Sequence, residues 1–189
     1  MSKAQAAENR ERIVAAATRL FREHGFDGVG IDALMQSEGM THGGFYRNFA
    51  SKDALAAEAC GRTMALAEAN WAKMIERGGG EARTVIATHY LSARHRDEPG
   101  DGCGFSAFAV DAGRRRGPVA AAFAKGLRAV IGQLSHIMSG RAADARREKA
   151  IAAMSGLVGA LILARAVDDP AFSDEILQAG KRAFAGDTN

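Results

Sequence analysis

The sequence predicts an all-α protein of about nine helices. Alanine is abundant, and only three prolines interrupt the 189 residues. Runs of β-branched residues are scarce, which disfavours strands. Apolar residues recur at i, i+3 and i+4 through most of the chain, the spacing of helices that bury one face. Together these observations predict a protein built from packed helices.

Composition and charge narrow the class further. Hydrophobic residues make up 47% of the chain and charged residues 25%, as in soluble globular proteins. The net charge of +3 and the pI near 9.1 permit a nucleic-acid partner. Two cysteines form no disulfide framework, the N-terminus has no signal-peptide pattern, and the apolar run 151–167 is short for a bilayer span. We therefore expect a cytoplasmic protein without membrane association.

The first 50 residues contain three predicted helices. Residues 1–7 lack apolar periodicity and are expected to form a loose arm. Gly25 and Gly39 stand where the first two helices end, because glycine readily adopts the left-handed conformation found there. The predicted helices span residues 8–24, 31–38 and 41–49.

The third of these helices has a surface suited to a DNA major groove. Phe45, Tyr46 and Phe49 form its apolar stripe, and its other side is small, polar or basic. The order of long helix, turn, short helix, tight turn and short helix is the helix-turn-helix pattern. In that pattern 31–38 crosses the DNA backbone and 41–49 reads the groove. An ordinary amphipathic helix is the alternative for this stretch alone.

The segment from Arg12 to Leu55 resembles the N-terminal domain of the TetR/AcrR family of bacterial transcriptional regulators. The matching motifs are Ile-Val-Ala-Ala-Ala…Leu-Phe-Arg-Glu-His-Gly-Phe, Gly-Met-Thr-His-Gly-Gly-Phe-Tyr-Arg-Asn-Phe and Ser-Lys-Asp-Ala-Leu. The resemblance covers about a quarter of the chain. It implies a helix-turn-helix DNA-binding domain at 1–50 and a helical effector-binding and dimerisation domain at 51–189.

The resemblance also implies roles for residues at the third helix. His42 and Gly43 would approach base edges, whereas Tyr46, Asn48 and Lys52 would hold phosphates. The expected DNA-binding residues are Thr41, His42, Gly43, Gly44, Tyr46, Arg47, Asn48 and Lys52.

Charge in this region is balanced. Residues 1–54 hold seven Lys or Arg and seven Asp or Glu, and Asp32 lies where the family often has a basic phosphate contact. Binding is therefore expected to depend on local placement of cations. The candidates are His42, Arg47 and Lys52, with Lys3 and Arg10 of the arm.

The rest of the chain supplies six more predicted helices. Ser51 is a natural cap for the first of them, and Pro118 suits the first position of another. Residues 113–117 are expected to be a solvated basic loop. The predicted helices span 51–77, 81–96, 105–112, 118–140, 142–167 and a last one from residue 173.

The last two helices are the expected homodimer interface. The resemblance implies this arrangement, and the broad apolar face of 142–167, thinned by Gly156 and Gly159, suits close helix packing. Ordinary core packing is the alternative. The expected interface residues are Met154, Leu157, Val158, Leu161, Ile162, Arg165, Ile176, Leu177 and Phe184.

The sequence shows no phosphate-binding loop, metal-ligand cluster or nucleophile motif. We expect no cofactor, no metal and no enzymatic activity. Cys103 is predicted at a helix N-terminus, a position that lowers a thiol pKa. An apolar cavity between the body helices is expected to be lined by Met64, Trp71, His89, Cys103, Phe105, Phe108, Phe123 and Met138.

These expectations describe a homodimeric regulator of transcription that binds a palindromic operator in double-stranded DNA. We expect a repressor that a small apolar or aromatic effector releases. Three alternatives stay open. The first is a regulator that senses oxidants or electrophiles through Cys103, the second is a small helical enzyme that uses Cys103 or His89, and the third is a DNA-binding protein without a ligand.

Overall fold

The computed structural model describes residues 3–185, and this part of the chain folds into ten α-helices without strands. Short 3-10 segments at Gly79–Glu81 and Pro99–Asp101 join some of them. The predicted all-α class is confirmed. The helices are α1 Lys3–His24, α2 Ile31–Ser37, α3 His42–Phe45, α4 Lys52–Gly78, α5 Ala82–Tyr90, α6 Ala93–Asp97, α7 Gly104–Arg115, α8 Gly117–Ile137, α9 Ala143–Ala166 and α10 Pro170–Ala185.

Two predicted boundaries near the N-terminus are wrong. Helix α1 already begins at Lys3, so residues 3–7 are not a loose arm, and residues 1–2 lie outside the described part. Helix α3 is a single turn rather than the whole of 41–49. Its two adjacent glycines weaken it, and the Asn48 side chain donates a hydrogen bond to the Gly44 carbonyl at 2.8 Å, which closes the turn.

The predicted helix 81–96 is divided in the structure, which accounts for the tenth helix. Ser92 has extended backbone, and its hydroxyl accepts a hydrogen bond from the His95 N–H at 3.1 Å. This is the geometry of a helix N-cap, so the chain ends α5 at Tyr90 and restarts as α6 at Ala93.

Helix α4 connects the N-terminal helices to the rest of the protein. The Ser51 hydroxyl accepts the Ala54 N–H at 3.1 Å, as predicted for its cap, and the 27 residues that follow extend about 40 Å. Leu55 is buried at one end of α4 and Trp71 near the other, within one continuous hydrophobic core. A Cβ atom at Gly126 would lie 2.5 Å from the Met64 Cβ atom, so glycine permits the close packing of α8 on α4.

Arg115, at the end of α7, attaches the body to the N-terminal helices. Its guanidinium pairs with Asp27 and Asp53 and lies 5.5 Å from the centroid of the Phe26 ring. Its side chain is only 17% exposed, whereas the two carboxylates are 80% and 78% exposed. The prediction of a solvated loop at 113–117 is therefore wrong for Arg115, although Arg114 is exposed.

We predict that Arg115→Ala lowers the free energy of unfolding by about 1–2 kcal/mol. The change removes two ion pairs with exposed carboxylates and one cation–π contact, and each contributes up to about 1 kcal/mol. Urea unfolding of the full chain measures the effect. The matched control is Arg114→Ala, for which we expect a change below about 0.5 kcal/mol. Equal effects of the two substitutions would contradict this role of Arg115.

Candidate functional site

Two buried aromatic side chains hold one side of α3 against the protein core. Phe45 is completely buried and Phe49 nearly so, with their ring centroids 5.6 Å apart. The turn before the helix is tight, since Gly39 has φ +68° and the Met40 N–H donates to the Met35 carbonyl at 2.8 Å. The anchored side leaves the opposite surface of α3 free to meet a partner.

That outer surface carries the residues predicted to contact DNA. Gly44, Asn48 and Lys52 are partly buried. A Cβ atom at Gly43 would meet no other atom within 4 Å, so a partner could approach the backbone closely there. The predicted residues that are exposed are Thr41, His42, Gly43, Tyr46 and Arg47.

Two side chains on this surface have some of their polar atoms engaged. The His42 Nδ1 lies 2.5 Å from the Asp32 Oδ1 of α2, which leaves the His42 Nε2 as the ring nitrogen able to reach a base. The pairing also offsets the acidic charge of Asp32. One N–H of the Asn48 amide is used within α3, so its other N–H is the one able to meet a phosphate.

Arg10, which the sequence offered as a further cation for DNA binding, is paired with Glu58 of α4 in the structure. Its guanidinium donates to both carboxylate oxygens of Glu58, at 2.6 and 2.5 Å, and lies 4.7 Å from the Phe49 ring centroid. A bidentate pair of this kind holds the side chain against α4.

Cations from the body compensate part of the acidic charge of the first 54 residues. Arg62 pairs with Glu11, and Arg115 pairs with both Asp27 and Asp53. Sequence counting missed this compensation because both arginines come from later in the chain. Because Glu58, also from later in the chain, pairs with Arg10, these contacts together add one net positive charge to the neutral balance of residues 1–54.

A second candidate site is a cavity of about 490 Å³ beside α4, bordered by α5, α6 and the segment before α7. Of the eight predicted lining residues, Trp71, His89 and Cys103 line it. Sequence periodicity could not separate these from the other five, because it indicates which residues face other helices but not where those helices leave an open space. The five that do not line this cavity are Met64, Phe105, Phe108, Phe123 and Met138.

The cavity has more polar lining than the sequence suggested. Arg22, Tyr90 and His95 all contribute to it, and none of them is among the eight predicted lining residues. The His95 Nδ1 lies 2.6 Å from the Tyr90 carbonyl, and its Nε2 accepts the Cys103 N–H at 2.8 Å. This geometry requires a neutral ring with the proton on Nδ1. Burial lowers the pKa of His95 from 6.5 to about 4.

The Cys103 thiol does not have the lowered pKa that its helix position predicted. Cys103 is the N-cap of α7, but burial raises the pKa of its thiol above the ordinary value despite opposing contributions from neighbouring groups. Burial likewise raises the pKa of Cys60 to about 11. Because the thiolate is the reactive form, neither cysteine has the environment typical of a reactive thiol.

The predicted dimer residues divide into two groups. Met154, Leu157, Leu161, Leu177 and Phe184 are buried in the protomer's own core, so they cannot form an outer contact surface. Val158, Ile162, Arg165 and Ile176 are partly buried. The Arg165 guanidinium is turned inward, where its Nε donates to the Arg96 carbonyl at 3.0 Å.

The outward surface of α9 and α10 instead presents apolar residues that the prediction omitted. Ile151 is 42% exposed, Leu163 58% and Phe172 49%. Helix α9 is long and apolar enough to cross a membrane by length and composition alone, but it packs against α8 and α10. Only 28% of its most apolar stretch is buried within the protomer, so an apolar surface remains uncovered.

A family profile described as "Bacterial regulatory proteins, tetR family" matches residues 13–59, the segment that contains α2, α3 and the start of α4. The matched segment is a TetR-type DNA-binding domain, and α3 is the second helix of its helix-turn-helix. The protein is a DNA-binding transcriptional regulator. A comparison with curated protein sequences found no match.

Solved TetR-family structures share the fold of this regulator over nearly its whole length. A TetR-family regulator from Cytophaga hutchinsonii is 18% identical, with 98% of each chain covered and a TM-score of 0.79. One from Agrobacterium tumefaciens is 17% identical, covering 96% of this chain and 100% of that one, with a TM-score of 0.79. The reduced form of E. coli NemR is 22% identical, covering 94% and 95%, with a TM-score of 0.75.

We predict that two substitutions on the proposed DNA-facing surface of this regulator separate affinity from specificity. Lys52→Ala should weaken binding to all sequences similarly and lower the salt slope by about one, because it removes one phosphate contact. His42→Ala should instead relax the preference at one or two base pairs. Binding-site selection from random duplexes, followed by titrations at several salt concentrations, measures both effects.

Lys73→Ala is the control for Lys52→Ala, since Lys73 is an exposed lysine on the same helix. It should leave both affinity and salt slope unchanged. If His42→Ala retained the wild-type preference at every base pair, His42 would not read bases.

We predict that His95 makes the regulator sensitive to acid. Because its folded-state pKa is about 4 and its ordinary value 6.5, the unfolded chain binds more protons between these pH values. The His95 contribution to stability is therefore fully present above pH 6.5. It decreases as pH falls towards 4, by roughly 2–3 kcal/mol.

Urea unfolding of the wild type and of His95→Gln between pH 7.5 and 4 tests this prediction. The His95→Gln profile should be flatter, whereas His136→Gln, at an exposed position, should follow the wild type. Parallel profiles for the wild type and His95→Gln would show that His95 is not the acid-sensitive group.

Proposed function

We propose that this regulator is a cytoplasmic homodimeric repressor. In this proposal the two α3 helices bind successive major grooves of a palindromic operator, and a small apolar or aromatic molecule in the cavity releases the DNA. The observation that carries the proposal is that one helix, α4, bears both Lys52 at the DNA-facing end and Trp71 in the cavity wall.

Each residue of the DNA-facing surface has a role that follows from its chemistry and exposure. Tyr46 is 59% exposed, and with Arg47 and Lys52 it supplies phosphate contacts that set the position of α3. His42 presents Nε2 to a base edge, while Gly43 and Gly44 let the backbone come near the groove. Thr41 begins the helix, and Asn48 offers its remaining N–H to a phosphate.

The proposed dimer partner is a second copy of the chain. The uncovered surface of α9 has apolar side chains at Ile151 and Leu163. It has no side chain at Gly156 and Gly159, where an added Cβ atom would meet nothing within 4 Å. Small residues let two helices pack closely. Phe172 of α10 extends this apolar surface, and a symmetric dimer would bury both copies of it.

In the proposed mechanism, a ligand releases DNA through contacts that join the cavity wall to the N-terminal helices. Arg22 of α1 lines the cavity, and its Nε donates to the Gly100 carbonyl at 2.7 Å, so the cavity wall is tied to the N-terminal helices as well as to α4. Two recognition helices must lie about 34–36 Å apart to reach successive grooves. A ligand that binds a differently spaced dimer better shifts the population away from DNA.

We predict that Leu163→Arg yields monomers and abolishes tight operator binding. The substitution places a charge on the uncovered apolar surface, where a second copy would bury it at high cost. Leu163 is 58% exposed, so the protomer itself should remain folded. Leu161→Arg is unsuitable because Leu161 is fully buried and its replacement would unfold the protomer.

The test combines light scattering with binding to a duplex selected from a random library. Ala72→Arg, at an exposed position on α4, is the matched control and should remain dimeric. A wild-type protein that is monomeric at micromolar concentration, or a dimeric Leu163→Arg variant, would refute the proposed interface.

A further inference from the structure

One carboxylate of α2 contacts His42, the histidine at the start of α3. The Asp32 Oδ1 lies 2.5 Å from the His42 Nδ1, so the contact joins the first turn of α2 to the first turn of α3. Both side chains are at the surface, with Asp32 79% and His42 50% exposed. Asp32 therefore lies beside the surface proposed to face DNA, although its negative charge repels phosphate.

The contact determines which ring nitrogen of a neutral His42 carries the proton. A neutral imidazole has one N–H and one nitrogen with a free lone pair, whereas an ionised carboxylate only accepts hydrogen bonds. The hydrogen bond to Asp32 therefore requires the N–H at Nδ1. The Nε2 atom of His42 is left with its lone pair and acts as an acceptor.

The His42 Nε2 is available to a partner outside the protein. Among residues 3–185 it has no hydrogen-bond partner, and it is not enclosed by the protein. The ring lies beside Tyr46, with the two ring centroids 5.5 Å apart. An added Cβ atom at the neighbouring Gly43 would meet nothing within 4 Å, so the space next to the ring is open.

An acceptor in the major groove distinguishes the two members of a base pair. Each pair presents one exocyclic amino group there, from adenine N6 or cytosine N4, and one exocyclic oxygen, from thymine O4 or guanine O6. A lone pair on Nε2 can bond to the amino group, whereas it meets another lone pair at the oxygen. A histidine with its proton on Nε2 would have the opposite preference.

We propose that Asp32 is a positioning residue for DNA specificity, which holds His42 in the tautomer whose Nε2 accepts a hydrogen bond from the amino group of adenine or cytosine. This inference rests on the proposed function, in which His42 reads a base, and it specifies the chemical group that is read. Because its charge also repels phosphate, Asp32 raises selectivity while it lowers the affinity for DNA in general.

Nitrogen NMR of the full-length protein with isotopically labelled histidines tests the tautomer directly. Spectra are recorded at pH 8.5, above the range in which histidine side chains ordinarily change charge. The His42 signals are those that disappear in His42→Gln. In a neutral ring the lone-pair nitrogen and the N–H nitrogen have well-separated shifts. The wild type should show the proton on Nδ1, and Asp32→Ala should show a mixture of the two tautomers.

Duplexes that lack single exocyclic groups test the consequence for DNA at the same pH. Binding-site selection with the wild type and His42→Ala first identifies the base pair that His42 reads. Its amino group is then deleted with purine for adenine or 2-pyrimidinone for cytosine, and its oxygen with 5-methyl-2-pyrimidinone for thymine or 2-aminopurine for guanine. Deletion of the amino group should weaken wild-type binding by about 3- to 10-fold relative to its effect on His42→Ala, as one hydrogen bond provides.

Substitutions on α2 connect this effect to the carboxylate. Asp32→Ala should lose most of the 3- to 10-fold effect, and it should bind random duplexes as tightly as the wild type or more tightly. Asp32→Asn should give an intermediate effect, because an amide can pair with either tautomer. Gln36→Lys is the matched control, since it makes the same change in charge at an exposed position of the same helix. It should keep the full effect.

Several results would overturn the proposal. These are a wild-type His42 with a proton on Nε2, a larger effect from deleting the oxygen, an undiminished amino effect in Asp32→Ala, or loss of affinity for random duplexes in that variant. A preference that is lost in Asp32→Ala but kept in His42→Ala would show that Asp32 itself contacts the base. If His42→Ala kept every base preference, base reading by His42 in the proposed function would fail as well, whereas the other results leave that role intact or reassign it.

Discussion

The arrangement of this regulator depends on one helix, α4, whose side chains are buried against both the N-terminal helices and the body. One end of α4 is buried among the N-terminal helices through Leu55 and Ala59, and the other is buried in the body through Met64 and Trp71. A helix whose side chains are packed on both sides moves as a rigid element. Gly126 leaves no clearance at Met64, so α4 cannot shift there without moving α8 as well. In the proposed mechanism, a displacement at the cavity would be passed along α4 to its N-terminal end.

Electrostatics reinforce this attachment. Arg115 joins the body to Asp27 and Asp53, and Arg62 of α4 pairs with Glu11. The same contacts that orient the N-terminal helices neutralise carboxylates that would repel phosphate. The same side chains therefore hold the body against the N-terminal helices and reduce the negative charge of those helices.

The sequence predicted features that depend on local pattern and missed those that depend on packing. Helix periodicity, the Ser51 cap and the turn at Gly39 are encoded within a few residues, and the structure has all three. The restart at Ser92 was missed because a serine within an amphipathic pattern also fits an uninterrupted helix. From Ala150 onward, α9 is apolar on nearly all sides, so its periodicity could not tell that Leu161 is buried and Leu163 exposed. DNA contacts inferred from the family motif remain predictions.

The cavity shows why composition is a poor guide to a ligand. Tyr90, His95 and Cys103 meet only because α5, α6 and the start of α7 fold together, and their environments reverse the properties expected of them in isolation. Burial makes the histidine a neutral structural group and keeps the thiol protonated, so neither provides charge or a nucleophile. A ligand can regulate DNA binding only through differential affinity for two conformations. Because Trp71 is on α4 and Arg22 on α1, a ligand that contacted both would respond to the relative position of these two helices, as the proposed mechanism requires.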